Sequence, residues 1–145
     1  MGVINVVYWS GTGNTEEMAK ILSNEIKALG AECNLLTFED ITVDELSENR
    51  TFALGCSAMG AEQLEDSIVE PFFDELKDYL AGKNVALFGS YGWGDGEWMR
   101  EWVSAVEEAG AVVVGGEGVI ACGAPDEEAE DALKELAKNI VDAEQ

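Results

Sequence analysis

Residues 4–15, Ile4-Asn5-Val6-Val7-Tyr8-Trp9-Ser10-Gly11-Thr12-Gly13-Asn14-Thr15, decide the fold, because an apolar run stops abruptly at a loop of glycines and short hydroxyl side chains. Met18, Ile21, Leu22, Ile26 and Leu29 then recur at spacings of three and four, one face of a helix that Gly30 is placed to stop. The unit is strand, loop, helix. Such a junction aims backbone N–H groups and the positive end of the helix dipole at one point, so an anion, most often a phosphate, is the expected occupant. Ser10, Thr12, Asn14 and Thr15 add short side-chain donors there, more than a tight turn on Gly11 and Gly13 requires. The loop holds no lysine, which removes the GxxxxGK[ST] pattern, and Glu16 occupies the third glycine position of the dinucleotide pattern GxGxxG. Asn14 to Glu17 reads as a capped first turn, so the phosphate is held by neutral donors, which suit a small monophosphate better than a triphosphate.

Outward from this unit the same alternation repeats. Residues 33–38 form a second strand, and Thr42 and Glu45 make a capping box for a short helix ending near Asn49. Residues 51–56 are near-continuously apolar, as a parallel strand covered on both faces should be, and run into Ser57-Ala58-Met59-Gly60-Ala61-Glu62. Pro71 sits early in a helix faced by Phe72, Phe73, Leu76, Tyr79 and Leu80, which Gly82 ends. A fourth strand at 84–89 opens into Ser90-Tyr91-Gly92-Trp93-Gly94-Asp95-Gly96. The next helix turns Met99, Trp102, Val103 and Val106 inward, and Gly110 stops it. A fifth strand at 111–114 continues at 119–122 past Gly115 and Gly116. Pro125 starts a last helix whose buried stripe is Ala129, Ala132, Leu133, Leu136, Ala137 and Ile140. The expected fold is one α/β domain over residues 1–145, a doubly wound five-stranded parallel sheet of order 2-1-3-4-5 with helices on both faces. In that order the strands before the three special loops are neighbours, so the loops converge at the switch point between strands one and three.

The chain of 145 residues carries 30 acidic against 8 basic residues, a formal net charge of −22, which repels nucleic acid and anionic membranes. This acidity either serves solubility alone or favours a basic partner. No run of eighteen apolar residues and no leader-like segment is present, so the expected compartment is the cytoplasm. Cys33, Cys56 and Cys122 are odd in number, widely spaced and set in or beside apolar runs, which predicts free buried thiols. The absence of histidine removes Ser-His-Asp and Cys-His catalysis and most zinc sites, so neither a catalytic residue nor a metal ligand is assigned. Met59 and Trp93 are large polarizable side chains beside glycines, a setting for a flat aromatic ring whose polar edge a carboxylate such as Glu62 would address.

SGTGNT at 10–15, GCSAMG at 55–60 and FGSYGWGDG at 88–96 together resemble the flavodoxins, of the short-chain bacterial type, and the likeness runs from the first strand to the final helix. The resemblance implies a flavodoxin-like fold and a low-potential one-electron carrier with non-covalently bound FMN. Such a carrier works between redox enzymes in place of ferredoxin and has no substrate-turnover site. It implies that Ser10, Thr12, Asn14, Thr15, Ser57 and Ser90 hold the phosphate and ribityl chain, with Gly11, Gly13, Ala58, Tyr91 and Asp95 in the same loops. Trp93 would stack on the outer face of the ring, Met59 would lie beneath its inner face, and Glu62 would accept from its N3–H. Gly60, Gly92 and Gly94 would bring backbone to the ring edge, and the peptide after Gly60 would turn on reduction. Ala61 stands where close relatives are often acidic. Glu62, Asp95 and Asp66 would depress the second reduction step. The implied partners are basic-faced flavodoxin/ferredoxin reductases and oxidoreductases that dock transiently on a monomer.

Rival readings fail on particular residues. A response-regulator receiver needs acids where Trp9-Ser10 and Cys56-Ser57 stand and a lysine where Cys122-Gly123 stands. A low-molecular-weight phosphatase needs an arginine where Glu62 follows Cys56. An FMN-dependent reductase needs a substrate pocket and a nicotinamide site, and nothing beyond the flavin loops supplies them.

Overall fold

Each apolar run becomes a strand. In a computed structural model, which describes residues 2–11, 13–59, 63–92 and 94–145, β1 (Ile4–Trp9) pairs in parallel with β2 (Cys33–Thr37) on one side and β3 (Thr51–Cys56) on the other. β4 (Asn84–Tyr91) follows β3, and the outer edge of β4 carries β5 (Val112–Val113) and then β6 (Val119–Cys122). The strand order 2-1-3-4-5 expected from the sequence is present, with the fifth position divided between two short strands. Val85 pairs with Val113 but Phe88 with Val119, so three steps along β4 correspond to six along the edge. Gly115 and Gly116, at φ +83° and +84°, take a left-handed conformation that residues with a Cβ rarely adopt, and so carry the extra chain out of the ladder.

Side chains on β1 alternate between two cores, which is why its sequence is apolar throughout. Ile4 and Val6 join Met18, Leu22 and Ile26 of α1 (Asn14–Ala28) and Leu133 and Ile140 of α5 (Glu127–Glu144). Val7 joins the opposite core, with Leu46 of α2 (Val43–Ser47), Leu76 of α3 (Val69–Leu76), and Trp98, Trp102 and Val106 of α4 (Glu97–Glu108). The capping box predicted at Thr42 is formed: Glu45 N donates to Thr42 Oγ1 and Thr42 N to Glu45 Oε1, both at 3.1 Å. Among the described residues no helix is long and apolar enough to cross a membrane.

Some inward assignments differ. Leu29 lies just past the end of α1 and is 46% exposed, and Tyr79 falls in a 3₁₀ turn whose tighter winding leaves it 51% exposed. Trp98, one turn before Trp102, belongs to the buried stripe of α4 and is fully enclosed. Cys33 and Cys56 are buried free thiols as expected, whereas Cys122 is exposed, on a strand that among the described residues pairs with β4 alone.

Candidate functional site

The loop after β1 is built around a serine. Ser10 Oγ accepts from Gly13 N at 2.9 Å, which fixes the turn and leaves the Ser10 hydroxyl proton free to donate outward. Gly13, left-handed at φ +96°, is the N-cap of α1, and among the described residues no side chain caps this end. Asn14 is therefore the first helical residue rather than a cap. The N–H groups of Asn14, Thr15 and Glu16 have no acceptor among the described residues. The Glu16 carboxylate, which would repel an anion, accepts from Tyr8 Oη at 3.1 Å and lies 3.9 Å from Lys20 Nζ.

A chain of hydroxyls joins this loop to the other two. Thr15 is fully buried; its Oγ1 accepts from Ser90 N at 3.2 Å and lies 2.7 Å from Ser57 Oγ. One proton bridges Thr15 and Ser57, so the other hydroxyl proton of the pair is free for a guest. Ser90 Oγ donates to Gly123 O at 2.6 Å, Ala58 N donates to Ser90 O at 3.0 Å, and Gly123 N donates to Tyr91 O at 2.8 Å. Ser90 is thus a strut between β4 and the segment after β6. Its hydroxyl can still accept from a guest but has no proton to give one.

The remaining site residues are placed as follows. Met59 and Gln63 exchange backbone hydrogen bonds of 2.8 and 2.9 Å, and the Met59 side chain is 39% exposed. Tyr91 packs against Trp98 with ring centroids 5.5 Å apart. Gly94 has φ +91°, and no atom of the described residues comes within 4 Å of a Cβ built on Gly92. Asp95 is bound to Arg100, whose guanidinium donates to both its carboxylate and its carbonyl at 3.0 Å. Asp66 lies along a cleft against α4 with Glu70 and Glu101. Thr12, Gly60, Ala61, Glu62 and Trp93 lie outside the described residues.

Two supports were not read from the sequence. The buried Glu65 carboxylate accepts from Ser67 N at 3.0 Å, Ser67 Oγ, Ile68 N at 2.6 Å and Val69 N at 3.1 Å, capping an α3 that has no side-chain cap at Ile68. Burial alone would raise its pKa, but these hydrogen bonds outweigh it and hold the carboxyl below its ordinary value. An acid placed just ahead of the helix was the available signal. The second support joins the ends of β3 and β4. Trp98 Nε1 donates to Cys56 O at 3.2 Å, and Gly89 approaches so closely that a Cβ there would lie 2.1 Å from the same oxygen. Burial pushes the Cys56 thiol up to about 12, so it stays protonated.

The loops after β1, β3 and β4 therefore meet at the C-terminal ends of three adjacent strands, joined by Thr15, Ser57 and Ser90. A family model described as Flavodoxin matches residues 6–137. The flavodoxin of Megasphaera elsdenii is 53% identical over 113 residues, covering 78% of this chain and 82% of that protein. The flavodoxin of Clostridium beijerinckii is 46% identical over 137 residues, covering 94% and 98%. The solution structure of two-electron reduced Megasphaera elsdenii flavodoxin superimposes with a TM-score of 0.89 at 48% identity, covering 98% of this chain and 100% of that one. The chain belongs to the flavodoxin family, FMN-binding carriers that exchange electrons with oxidoreductases and turn over no substrate of their own.

Proposed function

We propose that residues 1–145 form one cytoplasmic FMN-binding domain that carries single electrons at low potential between redox enzymes, in the role ferredoxin otherwise fills. The observation that carries the proposal is the convergence of the three loops on an incomplete set of donors. Among the described residues, the first turn of α1 offers three N–H groups without acceptors, Ser10 keeps its proton, and one proton of the Thr15–Ser57 pair is left to give. Neutral donors at a helix N-terminus fit a phosphate monoester, and no lysine is needed. When bound, FMN supplies the centre that takes up and releases electrons. The chain's own residues bind and orient it: Ser10, Thr12, Asn14, Thr15 and Ser57 at the phosphate and ribityl end, with Ser90 holding the third loop in place. Met59 and Trp93 cover the ring, Glu62 addresses its edge, and Gly60, Gly92 and Gly94 bring backbone close to it. Partners with basic faces dock on the acidic surface of a monomer, with association that slows as salt rises.

Titration of the FMN-free chain with FMN and with riboflavin, followed by flavin fluorescence, tests this directly. FMN should bind far more tightly, because without the phosphate the donors of residues 10–15 lack an anion. Equal affinities would remove the phosphate cradle. Steady oxidation of NAD(P)H by the FMN-loaded chain alone would make it a reductase instead.

A further inference from the structure

We propose that the outer edge of β6 is a docking strip on which an extended, basic segment of a partner protein adds to the sheet as a further strand. β6 pairs with β4 on one side and with no strand on the other among the described residues. Its phase is set by Gly123 N, which donates to Tyr91 O: residues 119, 121 and 123 turn their backbone groups toward β4. Ile120 and Cys122 therefore turn their N–H and C=O groups outward. Such a row of unpaired groups is a template for another strand.

A cleft lies on each side of this strip. Toward α5 is one of about 550 Å³ lined by Glu117, Asp126, Glu128 and Glu135, with no lysine or arginine among its lining residues. Toward α4 is one of about 320 Å³ with Met99, Val103 and Ile120 on its walls and Arg100 and Glu117 also lining it, so an apolar residue entering it meets the first three. Side chains of a strand alternate between faces, so an added strand would send every other side chain into each cleft. The acidic cleft selects lysine or arginine and the other selects an apolar residue, which defines the occupant as a segment alternating between the two. A second copy of this chain is a poor occupant, because each copy carries a net charge of −22 and would bring the same acids into opposition. The strip also ends beside the site, since Gly123, next after β6, is bonded by both Ser90 and Tyr91.

This inference rests on the reading that basic redox partners dock here, and the test separates the two. The FMN-loaded chain is titrated with the peptide Lys-Val-Lys-Val-Lys-Val, and amide exchange of Ile120 and Cys122 is followed by NMR. Two further peptides carry N-methyl groups on all the lysine amides or on all the valine amides. The unmodified peptide should slow exchange at both positions. One methylated peptide should lose the effect and the other keep it, because only every other amide of an added strand faces β6. Glu117→Gln with Glu135→Gln should weaken the unmodified peptide by about two- to fivefold per charge. Equal binding of all three peptides would overturn the strip while leaving electrostatic docking intact. No binding of any would overturn both. Concentration-dependent dimerisation of the chain alone that protects Ile120 and Cys122 would give the edge to a second copy and overturn the proposal.

Discussion

The two ends of the sheet use similar polar residues to opposite effect. At the N-terminal end, Asn5 Nδ2 donates to Asn49 Oδ1 at 2.5 Å, Asn34 Nδ2 to Asn5 Oδ1 at 3.2 Å, and Asn84 Nδ2 to Thr51 Oγ1 at 3.2 Å. Lys83 Nζ donates to Ser47 O and Asn49 O at 2.5 and 2.8 Å, at the C-terminal end of α2, where the helix dipole favours a cation. Arg50 Nη2 donates to Ala143 O and Glu144 O at 2.5 and 3.1 Å. This end is closed on itself. At the C-terminal end Thr15, Ser57 and Ser90 hold the loops together, yet among the described residues protons and N–H groups remain without acceptors. A binding site differs from a polar seam in its bookkeeping of donors, not in residue type.

The strongest way to break the contrast is at the junction that holds the binding end open. Gly89→Ala would set a Cβ 2.1 Å from Cys56 O, a backbone atom with little room to move. Urea unfolding of the FMN-free chain should show a loss at or above about 3 kcal/mol; a loss below 1 would mean that the strands are not pinned there. Next, Thr15→Val keeps the shape but deprives Ser90 N and Ser57 Oγ of their partner, whereas Lys83→Met removes the cation from two carbonyls at the other end. Each should cost about 1–3 kcal/mol of stability. Only Thr15→Val should also weaken FMN binding, so equal loss of affinity in the two variants would erase the distinction between the ends.

Glu65→Gln tests whether the loop after β3 is held by charge. The folded carboxyl lies below its ordinary value, so its stabilisation is fully present above about pH 4.5 and is lost as pH falls through the depressed folded value. The variant should be less stable by about 1–3 kcal/mol at pH 7, with the gap closing on acidification; a gap independent of pH would make the effect steric. The smallest effect concerns the thiols. At pH 8 iodoacetamide should label exposed Cys122 and spare Cys56, which burial keeps protonated. Labelling of Cys56 at a comparable rate would show that the junction opens freely.

What could be read from the sequence was what depends on neighbours in the chain. The strand–loop–helix unit at residues 4–15 and the capping box at Thr42 are set by short-range spacing. The strut from Ser90 to Gly123 joins residues 33 apart, and the bond from Ser90 N to Thr15 joins residues 75 apart, so no local pattern encodes them. Trp98 was missed for a different reason. It stands beside a glycine-rich loop that reads as ligand-binding, although extending the α4 stripe back from Trp102 by one turn would have placed it inside. Cys122 differs because an apolar run predicts a strand but not that the strand will lie at the edge of the sheet.

The break between β5 and β6 also bears on how the chain can lengthen. Gly115, Gly116 and Glu117 are exposed and lie outside the ladder, and nothing lies within 4 Å of a Cβ built on Gly116. Gly118 is different, because a Cβ there would lie 2.3 Å from Met99 Sδ. Added residues between Gly116 and Glu117 therefore meet open space, whereas a side chain in place of Gly118 would have to displace Met99. Each doubling of such a loop costs only about 0.6 kcal/mol in closure entropy. An insertion at that point would leave the hydroxyls of the site untouched, because none of the residues that bond Thr15, Ser57 or Ser90 lies in the break.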